Sequence, residues 1–222
     1  MNRFTEHLQF YRQFRERFET TGAVAPSSRF LARALTSPLL TRQGPLRVLE
    51  VGPGTGAVTS EIVRRLPTGS RFDLVEINEE FADLLRHRFL HDPDFAKVAE
   101  QSSVHCCPLQ EFQAEEPFDV IVSGLPFNNF PAPLVEELID LCLSLLAPGG
   151  EMAFFEYMFV RPIRCKISPV ETRNRLKQIE DILQQRFSEY RTRTDWVFVN
   201  IPPAWVQHLR REATGTDALS AH

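Results

Sequence analysis

The chain has 222 residues, of which 43% are apolar and 24% are charged, and its formal net charge is −4. This size and balance predict one globular α/β domain with small additions and exclude two full domains. No apolar run reaches the roughly 18 residues that a membrane span needs, and no signal-peptide pattern opens the chain. The four cysteines lack CxxC or Cys/His metal spacing, which favours reduced structural thiols in a soluble cytoplasmic protein and no metal site.

Charge is distributed unevenly along the chain. Residues 1–47 contain 8 basic side chains and 3 acidic ones, residues 48–160 contain 6 and 19, and residues 161–195 contain 9 and 5. Two basic patches on an acidic body indicate contact with an anionic partner, although chance scatter over a solvated surface explains the same counts.

An amphipathic helix is predicted over residues 3–19. Its apolar side chains fall within an arc of about 160°; they are Phe4, Leu8, Phe10, Tyr11, Phe14 and Phe18. The flanking basic side chains are Arg3, Arg12, Arg15 and Arg17. This pattern suits a helix that lies in a lipid interface, and a helix that docks on the protein core explains it equally well.

A second helix is predicted in the segment GAVAPSSRFLARAL. Pro26 and the two serines after it are typical of a helix start, and Ser27 is placed to cap it. The apolar side of this helix contains Phe30, Leu31, Ala34 and Leu35.

The segment Arg47–Thr59 reads RVLEVGPGTGAVT and predicts a buried parallel strand, a glycine turn and a helix. Gly52, Gly54 and Gly56 recur at every second position, and Thr55 is a candidate helix cap. This layout lets a ligand lie against bare backbone at a helix N-terminus. The acidic Glu50 stands at the end of the strand.

A second strand is predicted over Arg71–Ile77. Its acidic residue, Glu76, follows Gly56 by 20 residues, where doubly wound nucleotide sites place an acid that accepts from ribose hydroxyls. A helix-cap or surface role is the alternative for Glu76.

The rest of the chain alternates between helices and strands. The predicted elements are a helix over Glu79–Leu90 with Leu84 and Leu85 buried, strands over Ser103–Cys107 and Asp119–Val122, a helix over Pro131–Leu146, a strand over Glu151–Val160, a helix from Ser168 to about Phe187, and final strands in TRTDWVFVNI. Such alternation is typical of a parallel sheet with helices on both faces.

Four segments resemble known enzymes. EVGPGTG resembles motif I of class I S-adenosylmethionine-dependent methyltransferases, whereas GAVAPSS, SGLPF and NIPPA resemble bacterial phospholipid N-methyltransferases. The resemblance covers about residues 20–210. It implies a Rossmann-like α/β fold with a mostly parallel seven-stranded sheet, helices on both faces and an added N-terminal amphipathic helix. The implied domains are a membrane-interface helix over 1–19, a methyltransferase domain over 20–212 and a flexible tail over 213–222.

The resemblance also implies S-adenosyl-L-methionine as cofactor. The expected cofactor-binding residues are Ser27, Ser28, Glu50, Gly52, Gly54, Gly56, Glu76, Ile77, Gln110 and Ser123. The acid that usually follows the third strand and holds the adenine amine is missing from CCPLQEF, so Gln110 or a backbone amide is the substitute. The segment GAVAPSS closes over the cofactor in the resembled family, but a capped helix packed on the sheet edge would leave the same residues.

The substrate side is expected after the fourth and fifth strands. In amino-methylating enzymes of this class a turn such as SGLPF presents oxygen atoms to the substrate nitrogen, and a plain loop is the alternative. The expected catalytic groups are Ser123, the carbonyl groups of Gly124 and Leu125, Glu156 and Tyr157. The expected substrate-binding residues are Tyr11, Tyr157, Arg161, Arg164 and Lys166, the last three for a lipid phosphate.

The resulting hypothesis is N-methylation of a lipid head-group amine. Phosphatidylethanolamine is favoured as substrate, ornithine lipid is the close alternative, and the partner is an anionic membrane surface on the cytoplasmic side, with peripheral attachment. An rRNA adenine N6-dimethyltransferase, a small-molecule methyltransferase and a non-catalytic cofactor-binding module remain as rivals. The acidic total and the S-G-L-P form, rather than N-L-P-F, oppose a nucleic-acid substrate. The sequence does not predict the oligomeric state.

Overall fold

The computed structural model describes residues 28–158 and 169–212. Several predictions from the sequence therefore lie outside the described residues: the helix over 3–19 with Tyr11, the tail over 213–222, and the single residues Ser27, Arg161, Arg164, Lys166 and Ser168. Within the described part of the chain no helix is long and apolar enough to cross a membrane.

Seven strands and six α-helices make up the described structure. The strands are β1 (Arg47–Val51), β2 (Arg71–Glu76), β3 (Ser102–Cys106), β4 (Phe118–Ser123), β5 (Leu146–Tyr157), β6 (Arg191–Val197) and β7 (Ala204–Arg210). The helices are α1 (Arg29–Leu35), α2 (Thr59–Arg65), α3 (Glu79–His91), α4 (Pro93–Ala96), α5 (Ala132–Leu145) and α6 (Val170–Tyr190).

One sheet contains all seven strands in the order β3-β2-β1-β4-β5-β7-β6. The strands β1 to β5 are parallel, and β7 runs antiparallel to both β5 and β6. Val51 pairs with Val75 of β2 and with Ser123 of β4, so these three strands end at the same edge of the sheet. The chain order reverses between β1 and β4, and ligands bind at such a switch point in open α/β sheets. The predicted mostly parallel seven-stranded fold is confirmed.

The core lies on both faces of the sheet, because the central strands are apolar at nearly every position. On one face Leu49, Ile121 and Phe154 pack with α5 and α6. On the other face Val48 and Val120 pack with α1, α2 and α3. Both faces are thereby closed to water, and the carboxyl edge is where a ligand can approach the strands.

Two predicted helix caps are wrong. Gly56 has φ 84°, a left-handed conformation that a right-handed helix cannot pass through, so α2 begins at Thr59 and Thr55 is not its cap. The cap of α1 is Ser28 and not Ser27: the Ser28 hydroxyl accepts a 3.2 Å hydrogen bond from the N–H of Leu31.

Two further predictions need correction. Leu84 is 40% exposed, because the buried stripe of α3 consists of Ala82, Leu85 and Phe89 and Leu84 lies beside it. The last strand segment also stops earlier than expected, at Val197. Residues 198–203 connect β6 to β7 instead, and the Asn200 side chain binds within this connection, to the Pro202 carbonyl oxygen.

Candidate active site

The glycine-rich connection after β1 leaves the sheet at its carboxyl edge. Gly52, Gly54 and Gly56 have φ angles of 69°, 59° and 84°, in the left-handed region where other residues are strained. The N–H of Gly52 donates a 2.9 Å hydrogen bond to the carbonyl oxygen of Val75, which ties the start of this glycine loop to β2. At its three glycines the loop thus presents backbone without side chains at the predicted cofactor position.

Glu76 holds the glycine loop directly. Its side chain is fully buried, its Oε2 accepts a 2.9 Å hydrogen bond from the N–H of Gly54, and its Oε1 accepts a 3.0 Å bond from the N–H of Asn78. The helix that follows is capped by Asn78, whose side chain accepts from the N–H of Phe81. The acid predicted from spacing alone therefore joins β2, α3 and the loop at one point.

Glu50 lies buried near Glu76 beneath the loop. Burial raises the pKa of Glu50 to about 8; Thr59 opposes this rise and the neighbouring Glu76 adds to it. Thr59 is the neighbouring donor to this carboxyl group, but it lies outside strict hydrogen-bond geometry, and neither carboxyl oxygen of Glu50 meets another partner within residues 28–158 and 169–212. A buried carboxyl group without such a partner is costly, and a cationic ligand at this position would relieve that cost.

Arg88 of α3 supports the glycine loop from outside. Its Nη1 donates to the carbonyl oxygens of Thr55 and Gly56, at 3.3 and 3.2 Å, and its Nη2 donates to the Ser60 hydroxyl at 3.1 Å. A Cβ added at Gly56 would lie 2.7 Å from Arg88 Nη1. Sequence reasoning missed this residue, since no local motif marks a helical arginine that reaches a loop more than 30 positions earlier.

The turn after β4 lies in backbone contact with the glycine loop. The N–H of Gly124 donates a 2.9 Å hydrogen bond to the carbonyl oxygen of Val51, and a Cβ added at Gly124 would lie 2.6 Å from the Gly52 carbonyl oxygen. Ser123 is fully buried, and its hydroxyl accepts a 3.3 Å bond from the N–H of Leu125, itself 4% exposed. The predicted substrate turn is therefore held in register with the predicted cofactor loop.

Glu156 and Tyr157 lie on opposite faces of β5. Glu156 is buried with the side of the sheet that packs on α6, and its Oε2 accepts a 3.3 Å hydrogen bond from Gln207. Tyr157 packs edge-on against Phe155 on the other face, and burial raises the pKa of its hydroxyl. Glu156 and Tyr157, both predicted to contact the substrate, therefore cannot line one pocket on a single face of the sheet.

The two remaining cofactor candidates follow β2 and β3. Ile77 is half-buried and packs against the core cluster on the α5 side. Gln110 is half-buried in a short 3-10 turn, Leu109–Glu111, in which Leu109 is buried in that same cluster. Ile77 therefore comes directly after β2, which pairs with β1, and Gln110 lies in the turn that follows the edge strand β3.

Two motifs that are far apart in the sequence meet beside this site. The N–H of Ser28, in GAVAPSS, donates a 3.3 Å hydrogen bond to Oδ1 of Asn200, in NIPPA, across 172 positions. Asn200 Nδ2 also donates to the carbonyl oxygen of Pro202 at 2.6 Å. The N–H of Met158, just after β5, donates to the Pro203 carbonyl oxygen at 2.7 Å. The start of α1, the end of β5 and the β6–β7 connection thus form one contact region.

Comparisons with known proteins agree with this arrangement. Residues 48–150 match the family model of a methyltransferase domain. The chain is 33% identical over 128 residues to an ornithine lipid N-methyltransferase of Singulisphaera acidiphila, covering 58% of this chain and 66% of that protein. It is 30% identical over 122 residues to a tRNA1(Val) (adenine(37)-N6)-methyltransferase of Aeromonas hydrophila, covering 48% of this chain and 50% of that protein. The chain spans less than two thirds of the length of either relative.

The fold has a close match among crystal structures. An O-methyltransferase from Bacillus cereus in complex with SAH aligns with a TM-score of 0.65 and 17% sequence identity, covering 91% of each chain. Fold and domain match together give this chain a methyltransferase domain with the class I S-adenosylmethionine-dependent methyltransferase fold. In sequence this particular chain resembles the bacterial lipid N-methyltransferases, and its cofactor is S-adenosyl-L-methionine.

Proposed function

We propose that this methyltransferase transfers methyl groups to the amine nitrogen of a lipid head group. The observation that carries the proposal is the contact between GAVAPSS and NIPPA, the two segments that resemble lipid methyltransferases. The N–H of Ser28 donates to Asn200, in the connection that follows β6 at the edge of the sheet where β5 ends. The named function of the Singulisphaera relative supports the same substrate class. Phosphatidylethanolamine and ornithine lipid both present a primary amine, and both are candidate substrates.

The glycine loop and its two acids are the proposed cofactor residues. Gly52 and Gly54 offer bare backbone, while Glu50 and Glu76 offer buried carboxyl groups to a ligand that has an ammonium group and ribose hydroxyls. The lone carboxyl group of Glu50 fits such a ligand, because it is buried without a hydrogen-bond partner among the described residues. When bound, S-adenosylmethionine supplies an activated methyl group.

The chain's own contribution to catalysis is positioning and desolvation. Because Gly124 rests on Gly52, the substrate turn holds a fixed place relative to the cofactor loop, which favours the in-line approach of a nucleophile. An amine must arrive uncharged, and a site with little water eases the loss of the ammonium proton. The carbonyl groups of Gly124 and Leu125 are proposed to accept hydrogen bonds from the nitrogen, and the Tyr157 hydroxyl is a further candidate.

Attachment to the membrane is proposed to use segments outside the described residues. The aromatic face over 3–19 would lie at the acyl boundary, and Tyr11 would contact the lipid substrate. Arg161, Arg164 and Lys166 follow β5, and their charges suit a lipid phosphate. Peripheral association with the cytoplasmic face of the membrane is part of this proposal.

Lipid analysis in a host without methylated lipids tests the proposal. The chain is expressed there beside a Gly54→Val variant, whose cofactor loop is blocked, and extracted lipids are analysed by mass spectrometry. Mono-, di- or trimethylated head groups that appear only with the native chain would support it and identify the amino-lipid. Abundant folded protein without any methylated lipid would refute it.

Methylation of adenine in RNA is the second candidate function. The Aeromonas tRNA methyltransferase, 30% identical over 122 residues, favours it. Transfer of tritiated methyl groups to amino-lipid vesicles and to undermethylated tRNA and rRNA, measured side by side, separates the two functions. Label that enters RNA and not lipid would replace the lipid proposal.

A further inference from the structure

The end of β6 and its connection to β7, residues 196–203, expose an unusual set of side chains. The most exposed are Trp196 at 60%, Phe198 and Val199 at 63% each, and Ile201 at 86%. From Trp196 to Gln207 the sequence contains no charged residue. Connections between strands normally expose Gly, Asn, Asp and Ser, so a large uncharged apolar tip on a hairpin is a candidate interaction surface.

The amide side chain of this hairpin tip, Asn200, faces inward. Asn200 is 4% exposed; its Oδ1 accepts from the N–H of Ser28, and its Nδ2 donates to the Pro202 carbonyl oxygen. Pro202 and Pro203 have no N–H group that would need a partner. Unpaired backbone donors are costly in an apolar phase, so both features reduce the cost of moving the tip out of water.

The hairpin tip also projects past the active-site edge. Ser123, the last residue of β4, pairs with Phe154, whereas Val197 and Ala204 pair with each other at the level of Tyr157. Three residues separate these levels, so Val197 and Ala204 lie about 10 Å beyond Ser123, the residue at which the substrate turn begins. A flat surface that touched the tip would face the carboxyl edge of the sheet.

We infer that the hairpin tip of residues 196–203 inserts into the interface of a lipid bilayer and orients the active-site edge toward the head groups. This inference rests on the proposed lipid-methylating function. Tryptophan and phenylalanine favour the boundary between head groups and acyl chains, and Trp196 stacks obliquely on Phe198 with ring centroids 5.6 Å apart. The hairpin is a membrane contact additional to the segment over 3–19.

Intrinsic fluorescence measures the insertion directly, because the chain has only two tryptophans. The full chain with Trp205→Phe retains Trp196 as its single fluorophore. It is mixed with vesicles of equal parts phosphatidylglycerol and phosphatidylcholine, with the phosphatidylcholine either native or brominated in its acyl chains. We expect Trp196 to be quenched by acrylamide without vesicles, and by bromine when vesicles are present.

Three results would overturn the inference. The first is sedimentation of the protein with vesicles without any quenching of Trp196 by bromine. The second is a Trp196 already shielded from acrylamide without vesicles, which would indicate that a second copy or residues 1–27 cover the tip. The third is a failure of the protein to bind these vesicles. A Trp196→Phe variant, which retains Trp205, repeats the measurement without relying on the first substitution and should show weaker bromine quenching.

A matched pair of variants tests the binding contribution. Phe198→Ser with Ile201→Ser changes only exposed tip residues, and Leu90→Ser changes a side chain that is 75% exposed at the end of α3. The tip variant should lose at least about tenfold in vesicle partitioning. Leu90→Ser should lose little, and both should retain their affinity for S-adenosylhomocysteine. An equal loss in both would overturn a specific role for the tip.

The lipid assay separates this inference from the proposed function. Bromine quenching of Trp196 without any methylated lipid would support the hairpin contact and refute the lipid substrate. Methylated lipid without quenching would leave the function standing and overturn the hairpin contact.

Discussion

The Gly52 carbonyl oxygen lies so close to Gly124 that a Cβ on Gly124 would sit 2.6 Å from it. Real Cβ atoms essentially never approach a backbone oxygen this closely, so the turn after β4 and the loop after β1 touch at a position where only glycine fits. Gly124 does not have a positive φ, and its requirement is therefore steric and not conformational. This contact fixes the position of the predicted substrate turn relative to the predicted cofactor loop.

Gly124→Ala should move the turn after β4 away from the glycine loop. The turn must move by several tenths of an ångström, and we expect turnover to fall more than tenfold because the nucleophile loses its alignment. Gly44→Ala is the control: Gly44 also lacks a side chain, has φ 78° and has open space around it, so this change strains the backbone away from the site. Steady-state kinetics of both variants at matched folded fraction would check this. Equal losses in the two would indicate a general folding defect.

Glu76→Ala should weaken both cofactor binding and the loop itself. Losing a charged hydrogen-bond acceptor costs roughly 1–3 kcal/mol, and the N–H groups of Gly54 and Asn78 would also lose their partner. Calorimetry with S-adenosylhomocysteine and thermal unfolding without ligand measure the two effects. Glu80→Ala, which removes an exposed acid from the first turn of α3, is the control; it should leave the affinity unchanged and lower the stability by less than about 1 kcal/mol. An unchanged affinity in Glu76→Ala would contradict the cofactor assignment.

Glu50→Gln should change how stability depends on pH. The pKa of Glu50 is raised from 4.5 to about 8, so the folded protein holds a proton that the unfolded chain releases between these values. The contribution of Glu50 is therefore fully present below about pH 4.5 and is lost as the pH rises toward about 8. The ligand-free variant should gain stability relative to the native protein across this window, as measured by urea unfolding at a series of pH values. A constant difference would mean that folding does not shift the pKa of Glu50.

Arg88→Ala should loosen the glycine loop from outside. The variant loses two hydrogen bonds to loop carbonyl groups, and we expect an affinity loss for S-adenosylhomocysteine of about 1 kcal/mol with little change in KM for the methyl acceptor. Arg86→Ala is a matched control, since Arg86 lies on the same helix but contacts Asp83 and Val104. An equal loss of affinity in the two variants would mean that a general change in helix α3, and not the loss of the Arg88 hydrogen bonds to the loop, weakens cofactor binding.

The predicted N-terminal helix should contribute to membrane binding. Replacing Phe10 and Phe14 with serine is expected to weaken binding to vesicles rich in anionic lipid, since each buried CH₂ contributes about 0.8 kcal/mol. Binding by the native protein should fall as salt rises, because nearby arginines contribute about 1 kcal/mol each on an anionic surface. Affinity for S-adenosylhomocysteine should not change. Full vesicle binding by a chain that begins at Thr20 would show that the helix has another role.

The sequence by itself determined the framework of this protein. Apolar runs such as Val48–Val51 and the turns between them predicted the parallel strands, because a strand buried on both faces must be apolar at nearly every position. The spacing of Gly52, Gly54 and Gly56 predicted the glycine loop, and the position of Glu76 predicted a ribose ligand, whereas the hydrogen bond from Gly54 to Glu76 came from the structure. These features are local, so short stretches of sequence contain them.

Only the tertiary structure decided which distant residues meet. Arg88 reaches the glycine loop, Gly124 rests on Gly52, and Asn200 binds the start of α1 across 172 positions. No local pattern encodes such contacts, because they depend on strand order and on the register between strands. The exposed hairpin tip is of the same kind: the sequence predicted a strand through Ile201, and the structure turned Asn200 inward and left its apolar neighbours in solvent.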